Sequence, residues 1–381
     1  MNFKKTEEQE LLLASLDEWL DGCGFDDNYF KTCWLEGRKT EEFDRALVEA
    51  GFGAMGIPEE YGGTETDLTT LVLVAMRLAE RGFPNSCMGN ALQIDDMMTF
   101  GSEEQKKMVS DHLVATGGGM CFCLGISEAC AGSDNNAMQT YCTHKDGKVI
   151  INGSKTFCTN ADSVPYMLCL AKEADFEGTP ISSYFIPMDA PGITVKPMHK
   201  IGTRYGSLCE VYLENVEVGE NALVGKFGNG FMNIMKNFEI ERLVMAATSC
   251  GQVKCAFNDV AKYANQRVQF GKPIGQFQLI QEKLAEMYIK ILNMENLILQ
   301  TAAMKDNGES IRMMASVVKY YCGQAAFEVA DDAVQIMGGI AYTEEHRISR
   351  IWRDVRLLRI GGGTEQIMIK NISKLILKMY K

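Results

Sequence analysis

The sequence predicts an α+β fold in which a middle β domain lies between two helical domains. Apolar residues recur at helical spacing from about residue 7 to residue 112, and again from about residue 230 to residue 379. Between these zones, short apolar or alternating runs are bounded by Gly, Pro and Asp, as strands usually are. We therefore expect three domains, at residues 1–116, 117–227 and 228–381.

The first zone is amphipathic. Leu11, Leu12, Leu16 and Leu20 are spaced so that they share one face of a helix. A cluster of turn residues from Gly51 to Gly63 interrupts this pattern. The N-terminal domain is therefore predicted to consist of helices with one turn-rich segment between them.

The middle zone carries the clearest strand signal. The run from Thr143 to Ile151 places an Asp146-Gly147 pair between two strand-like segments. This pair favours a two-residue hairpin turn, because both turn positions require positive φ. Further strands are expected near residues 166–170, 182–187 and 209–218. In the last zone only Pro273, in the loop Gly271–Gly275, and glycines near residues 338 and 361 interrupt the helical pattern, which is typical of a helical bundle.

Composition argues against several classes of protein. A net charge of −12 argues against a nucleic-acid-binding protein, because neutralising phosphates requires a basic surface. The thirteen cysteines include no Cys-x-x-Cys pair and the four histidines form no His-Glu-x-x-His motif. We therefore expect no metal site, and mostly reduced cysteines in the core. The N-terminus is charged, and no apolar run approaches the roughly 20 residues of a membrane span. These features predict a soluble cytoplasmic protein.

Four segments carry small, hydroxylated or glycine residues where strands or helices are expected to end. They run from Leu124 to Asp134, Ile151 to Asn160, Tyr263 to Gln278, and Gln335 to Gly339. Backbone N–H groups and hydroxyls at such ends can hydrogen-bond a polar ring. Any one of them could equally be an ordinary turn. The glycines from Gly225 to Gly230 lack the spacing of a nicotinamide-dinucleotide site, and we interpret them as a connection between domains.

In this order and spacing, the four segments resemble the signature of the acyl-CoA dehydrogenase family, over essentially the whole chain. The resemblance implies an N-terminal helical domain, a β-barrel-like middle domain and a C-terminal four-helix bundle. It also implies bound FAD, an acyl-CoA or enoyl-CoA substrate, electron-transferring flavoprotein as partner, and a homotetramer or dimer. The residues that it assigns to the isoalloxazine are Leu124, Ile126, Ser127, Gly132, Ser133, Phe157 and Thr159. Those that it assigns to the rest of FAD, partly across a subunit boundary, are Arg267, Phe270, Phe277, Gln278, Gln335, Gly338, Gly339, Thr364 and Gln366.

The chain departs from the family pattern at two places. Ala129-Cys130 stands where the family usually has Pro-Gly, which alters the rigidity of that turn. Gly362 stands where most relatives carry the glutamate that exchanges the substrate α-proton. Some branches of the family carry this glutamate on the first long helix of the C-terminal domain, and Glu241 matches that alternative position.

We therefore predict Glu241 as the acid/base residue. A solvent-facing helical glutamate in an ion pair is the alternative interpretation of Glu241, and Glu365 is a second candidate for the proton transfer. The resemblance also assigns Ser133, Glu239 and Arg242 to substrate binding.

Within the family the chain resembles the crotonobetainyl-CoA reductase branch of bacterial carnitine breakdown. The similarity includes the runs from Phe277 to Lys283 and from His346 to Asp354, and the missing glutamate before the final Gly-Thr. This implies reduction of an enoyl-CoA. Reductases of other short-chain or aryl enoyl-CoAs, and a non-catalytic protein that keeps the flavin and CoA fold, remain alternatives.

Overall fold

A computed structural model describes residues 5–53, 55–84, 97–116 and 119–381 of the chain. It confirms the predicted order of a helical part, a β part and a second helical part. The described helices of the first part are α1 (Glu7–Gly22), α2 (Asp27–Glu36), α3 (Glu41–Glu49), α4 (Leu68–Glu80) and α5 (Glu103–Thr116). Nine of the 13 residues of α4 are buried, so α4 is a central helix and not a surface helix.

The middle part forms one seven-stranded sheet. Its strands are β1 (Phe122–Gly125), β2 (Tyr141–Lys145), β3 (Lys148–Thr159), β4 (Tyr166–Glu173), β5 (Ile181–Pro187), β6 (Ile193–Pro197) and β7 (Leu208–Gly219). The order across the sheet is β1, β4, β2, β3, β7 and β6, and β5 pairs with β4. The predicted hairpin is confirmed, since β2 and β3 pair antiparallel and φ is 52° at Asp146 and 72° at Gly147.

Long helices dominate the last part. They are α6 (Gly230–Gln266), α7 (Gln278–Asp306), α8 (Arg312–Met337), α9 (Arg347–Val355) and α10 (Glu365–Met379). The segment between α6 and α7, predicted as a loop, instead contains a short two-stranded ribbon of β8 (Val268–Gln269) and β9 (Lys272–Pro273). Phe270 and Gly271 form its turn, both at positive φ.

One apolar core joins the N-terminal helices to the C-terminal bundle, while most of the sheet has a separate core of its own. The contact between α4 and α6 is especially close at Gly251. A Cβ atom at this position would lie 2.2 Å from the Met76 carbonyl oxygen and 2.7 Å from Ala79 Cβ. The glycine therefore allows α4 to approach the backbone of α6, the helix that also carries Glu241.

The cysteines behave as the composition predicts. Ten of the twelve cysteines in the described part of the chain are buried, and none of these twelve forms a disulfide. Among the helices described, none combines the length and apolar composition that crossing a bilayer requires.

We expect Gly251→Ala to lower the free energy of unfolding by about 1–3 kcal/mol, because the added methyl group must push α4 away from α6. Urea unfolding followed by circular dichroism measures the effect. Gly22→Ala is the matched control, since Gly22 ends α1 with no atom within 4 Å of an added Cβ. Equal stability of the Gly251 variant and the wild type would contradict this description of the helix contact.

Candidate active site

The first two predicted cofactor segments are joined by hydrogen bonds, although β1 and β3 are not neighbours in the sheet. The Thr156 backbone N–H donates a hydrogen bond to the Ser127 carbonyl oxygen over 2.8 Å. A second connection is made by the Lys155 ammonium, which donates to Glu128 Oε1 over 2.8 Å and to the Ile126 carbonyl oxygen over 3.3 Å. Both charged side chains are buried. The loop that follows β1 is therefore connected to β3 by a buried ion pair.

Glu128 has further partners that keep it charged. Its carboxylate accepts the backbone N–H groups of Gln139, over 2.5 Å, and Thr140, over 3.0 Å. Burial alone would raise the pKa of Glu128, but the hydrogen bonds from Lys155 and Gln139 outweigh it and hold this pKa below its usual value. A charged Glu128 therefore orders the loop between β1 and β2, the loop in which Gly132 and Ser133 lie.

An irregularity in β3 exposes an aromatic ring beside this pair. The register between β3 and β7 shifts between Lys155 and Cys158, and Phe157 adopts a φ of 61° with 57% of its surface exposed. A left-handed conformation is unusual for an aromatic residue, which makes Phe157 a candidate for a functional role. Thr159, Gly132 and Ser133 are also exposed, and no atom lies within 4 Å of a Cβ built on Gly132. Leu124 and Ser127 are half-buried, and Ile126 is buried behind this surface.

The third and fourth predicted segments lie in the helical bundle. The ribbon after α6 is closed by the Ile274 backbone N–H, which donates to the Arg267 carbonyl oxygen over 2.8 Å. The Phe270 ring, 92% exposed, lies 6.2 Å from that of Phe277. Arg267 and Gln278 are exposed as well. These side chains are therefore available to a ligand or to another subunit.

The turn after α8 is open in the same way. Gln335, Gly338 and Gly339 are exposed, and no atom lies within 4 Å of a Cβ built on either glycine. Gly338 has a φ of 64° and a ψ of −139°, a conformation that glycine adopts easily and other residues rarely do. Its backbone can therefore be approached closely by a phosphate or by another chain. Thr364 caps α10 by accepting the Ile367 backbone N–H, and Gln366 is exposed.

Glu241 differs from Glu239, the other glutamate of α6, in having a carboxylate oxygen that is shielded from solvent and has no hydrogen-bond partner among the described residues. The side chain is half-buried, and this oxygen is its Oε2 atom. Burial raises the pKa of Glu241 above its usual value, against the opposing effect of Arg242 and Lys319. A carboxyl group with a raised pKa is a stronger proton acceptor than an ordinary glutamate, as an acid/base residue requires.

Two buried cations lie next to Glu241. Arg242 is 4% exposed, and its Nε donates to the Gly362 carbonyl oxygen over 3.0 Å. The ammonium of Lys319, from α8, donates to the carbonyl oxygen of the next residue, Gly363. Lys319 is not among the residues predicted from the sequence. Its signal there is a lone lysine in an otherwise apolar and small-residue stretch of a helix.

Glu365, the second candidate for proton transfer, has both carboxylate oxygens engaged. Arg359 Nε donates to Oε1 over 2.5 Å and Arg359 Nη2 donates to Oε2 over 3.0 Å. Such a bidentate pair favours the charged carboxylate and fixes its orientation. Glu239 lies on α6 and is half-buried; burial raises its pKa, while Arg312 and Arg242 oppose the rise.

A separate polar cluster in the sheet contains Cys142, His144 and Glu173, which are residue types that bind metals. Glu173 Oε2 accepts from Cys142 Sγ over 3.1 Å and lies 2.8 Å from His144 Nε2, and Glu173 Oε1 accepts from Tyr184 over 2.7 Å. The groups thus satisfy one another by hydrogen bonding, and we assign them a structural role.

Comparison with known proteins gives matches along the whole chain. Models of three acyl-CoA dehydrogenase domains match it: the N-terminal domain at residues 6–116, the middle domain at residues 123–216 and the C-terminal domain at residues 228–377. Probable acyl-CoA dehydrogenase YdiO of Escherichia coli (strain K12) is 48% identical over 383 residues, which cover 100% of this chain and 100% of the relative.

Solved structures are similar to this chain over nearly its whole length. Butyryl-CoA dehydrogenase from Megasphaera elsdenii superimposes with a TM-score of 0.89 at 27% identity, over 99% of this chain and 100% of that one. A chain from a structure described as electron transferring flavoprotein of Acidaminococcus fermentans gives a TM-score of 0.90 at 29% identity, again over 99% of this chain and 100% of that one.

We expect Lys155→Met to lower the free energy of unfolding by about 3–5 kcal/mol, because Glu128 would be left as a buried charge without its cation. Urea unfolding measures the loss. Adding Glu128→Gln to Lys155→Met removes the unpaired charge and should recover part of the stability. A double variant no more stable than the single one would show that the charge pair is not what holds the two segments together.

Proposed function

Because this chain belongs to the acyl-CoA dehydrogenase family, we propose that it binds FAD and moves hydrogen between that flavin and the α and β carbons of a CoA thioester. Family members are flavin-dependent oxidoreductases that act on CH–CH groups. The observation that carries the proposal is Glu241, whose sheltered carboxylate oxygen has no hydrogen-bond partner among the described residues.

The exposed groups of the two sheet segments fit a flat polar ring. Phe157 offers an aromatic surface, Ser133 and Thr159 offer hydroxyls, and the space above Gly132 is free. The open turn at Gly338 and Gly339, with Gln335 beside it, suits the rest of a dinucleotide because backbone N–H groups there can approach phosphate oxygens. We accordingly assign FAD to the residues that the sequence predicts for it.

FAD, when bound, supplies the two-electron acceptor or donor for the β-carbon. The protein contributes the proton transfer at the α-carbon. In the oxidising direction the Glu241 carboxylate accepts the α-proton; in the reducing direction the protonated carboxyl returns it. Arg242 and Glu239, with Ser133 on the sheet side, would hold the thioester and its pantetheine chain.

We further propose that the physiological reaction is the reduction of crotonobetainyl-CoA to γ-butyrobetainyl-CoA, with electrons from electron-transferring flavoprotein. Similarity to that branch in the runs Phe277–Lys283 and His346–Asp354, together with Gly362, supports the substrate assignment. A second candidate is an uncharged short-chain or aryl acyl-CoA or enoyl-CoA. The full-length relative at 48% identity, named as a probable acyl-CoA dehydrogenase, supports it. A non-catalytic role is the third candidate, supported by the loss of the usual glutamate at Gly362.

Exposed apolar side chains around the ribbon and the turn after α8 support a homotetramer or dimer. The large exposed ones are Val268, Phe270, Leu279, Ile340 and Tyr342. Phe270 and Tyr342 are about nine-tenths exposed, which is costly for a monomer in water. The unpaired cysteines support a reducing, cytoplasmic location.

We expect the purified protein to show the visible absorption of bound FAD.

The Glu241→Gln variant should lose at least about 100-fold in turnover, because the amide cannot exchange the α-proton. Anaerobic stopped-flow reduction or oxidation of the flavin by acyl-CoA or enoyl-CoA substrates measures the effect. Glu365→Gln is the matched control: it breaks the pair with Arg359 but should keep turnover within about ten-fold of the wild type. Normal turnover of the Glu241 variant would remove this assignment.

The tert-butyl isostere of crotonobetainyl-CoA has a carbon atom in place of the quaternary nitrogen. We expect the kcat/KM for crotonobetainyl-CoA to be about ten-fold or more above that for this isostere, because recognition of the cation is worth about 1–2 kcal/mol. Crotonyl-CoA and a cinnamoyl-CoA complete the series. Equal or better use of the uncharged substrates would support the second candidate. A colourless protein that cannot be reconstituted with FAD would overturn the flavoenzyme proposal as a whole.

A further inference from the structure

Lys319 is a buried cation that the proposed chemistry does not use. Its side chain is fully buried on α8, between α6 and the glycine turn that precedes α10. Burial, together with the repulsion of Arg242, lowers the pKa of Lys319 to about 8, and Glu365 and Glu241 oppose the change. Burying an ammonium group costs free energy unless the group is hydrogen-bonded and its charge interacts with an opposite charge.

The position of Lys319 is set by the glycine turn. Lys319 donates to the Gly363 carbonyl oxygen, and Arg242, from the facing helix, donates to the Gly362 carbonyl oxygen over 3.0 Å. The two glycines have φ values of 62° and 97°. Two cations from different helices thus bind two successive carbonyl groups, at the position where most of the family carries its acid/base glutamate.

Side chains from three helices surround the turn. A Cβ atom on Gly363 would lie 2.9 Å from Met368 Cε, and one on Gly362 would lie 3.6 Å from Met245 Sδ and 4.0 Å from Lys319 Cε. The position of the glycine carbonyl groups relative to the cations rests on the two hydrogen bonds from Arg242 and Lys319.

We propose that Lys319 is a positioning residue for proton transfer at Glu241: it fixes the Gly362–Gly363 turn and, while protonated, supplies a positive charge that favours the ionised carboxylate. This inference rests on the proposed function and adds to it the residue that sets the proton affinity of the base. It is independent of which acyl group the substrate carries.

The charges around Glu241 determine the sign of the effect. Arg242 on α6 and Lys319 on α8 both lower the pKa of Glu241. From α10, Glu365 faces Lys319, but its charge is paired with Arg359. Removing Lys319 leaves burial opposed by Arg242 alone, so the proton affinity of Glu241 rises. In the pH dependence of kcat, the limb that reports the ionisation of Glu241 then moves to higher pH, in either direction of the reaction.

The test compares three replacements of Lys319 in the FAD-loaded protein. Lys319→Met removes both the charge and the hydrogen bond, Lys319→Gln keeps a donor for Gly363 without the charge, and Lys319→Arg keeps the charge. The matched control is Lys254→Met, which removes a half-buried lysine of α6 that is paired with Glu80 and Glu295. The measurement is the pH dependence of flavin reduction by an acyl-CoA, or flavin reoxidation by an enoyl-CoA, under anaerobic conditions.

We expect Lys319→Met and Lys319→Gln to move this limb to higher pH, so that flavin reduction on the acidic side slows by about ten-fold or more. Lys319→Arg should restore the wild-type profile, and Lys254→Met should lower thermal stability without moving the limb. An unmoved limb in the Gln variant, with an active wild type, would overturn the inference alone. If the Met variant does not fold, the comparison of Gln with Arg decides the matter. A wild-type flavin that no acyl-CoA or enoyl-CoA reduces or reoxidises would overturn the proposed function, and this inference with it.

Discussion

The buried ion pair between Lys155 and Glu128 is the interaction on which the sheet side of the candidate site depends. It connects the loop that follows β1 to β3, and Glu128 also accepts two backbone N–H groups at the far end of the loop between β1 and β2. A buried charge pair is stabilising only when its remaining hydrogen-bonding capacity is satisfied. Here these bonds fix the loop between β1 and β2, which carries the exposed hydroxyl group of Ser133. The exposed ring of Phe157 and the hydroxyl group of Thr159 lie at the irregular end of β3.

The part of the candidate site that lies in the helical bundle depends on a different set of charged side chains. Glu241, Arg242 and Lys319 meet at the glycine turn, where one carboxyl group is opposed by two cations that each bind a backbone carbonyl group. Position 362 carries a glycine, and its carbonyl oxygen, with that of Gly363, is the acceptor for the cations. With the proposed acid/base residue Glu241 on α6, the proton-transferring group would lie close to this turn, and the surrounding charges would adjust its proton affinity.

Local sequence patterns predicted much of the fold because local forces determine those parts. Asp146-Gly147 specifies a hairpin through the φ angles that the two residues tolerate, and the structure has these angles. The ribbon at Val268–Pro273 escaped prediction because strands of two residues carry no periodicity. The assignment of Glu241 over Glu365 was only a preference in the sequence, where both are glutamates near apolar residues. Arg359 distinguishes them in space, because it occupies both oxygens of Glu365 and neither of Glu241.

By itself the sequence determined the order of helical and β parts, the hairpin, the family resemblance and the absence of a glutamate at position 362. Each of these follows from periodicity, turn chemistry or the identity of single residues. The tertiary structure alone decided which charges meet, since Lys155 pairs with Glu128, 27 residues away, and Lys319 reaches Gly363, 44 residues away. Burial and charge pairing are properties of packing between distant segments. For that reason neither the sheltered oxygen of Glu241 nor the cation opposite it could be predicted from the local pattern.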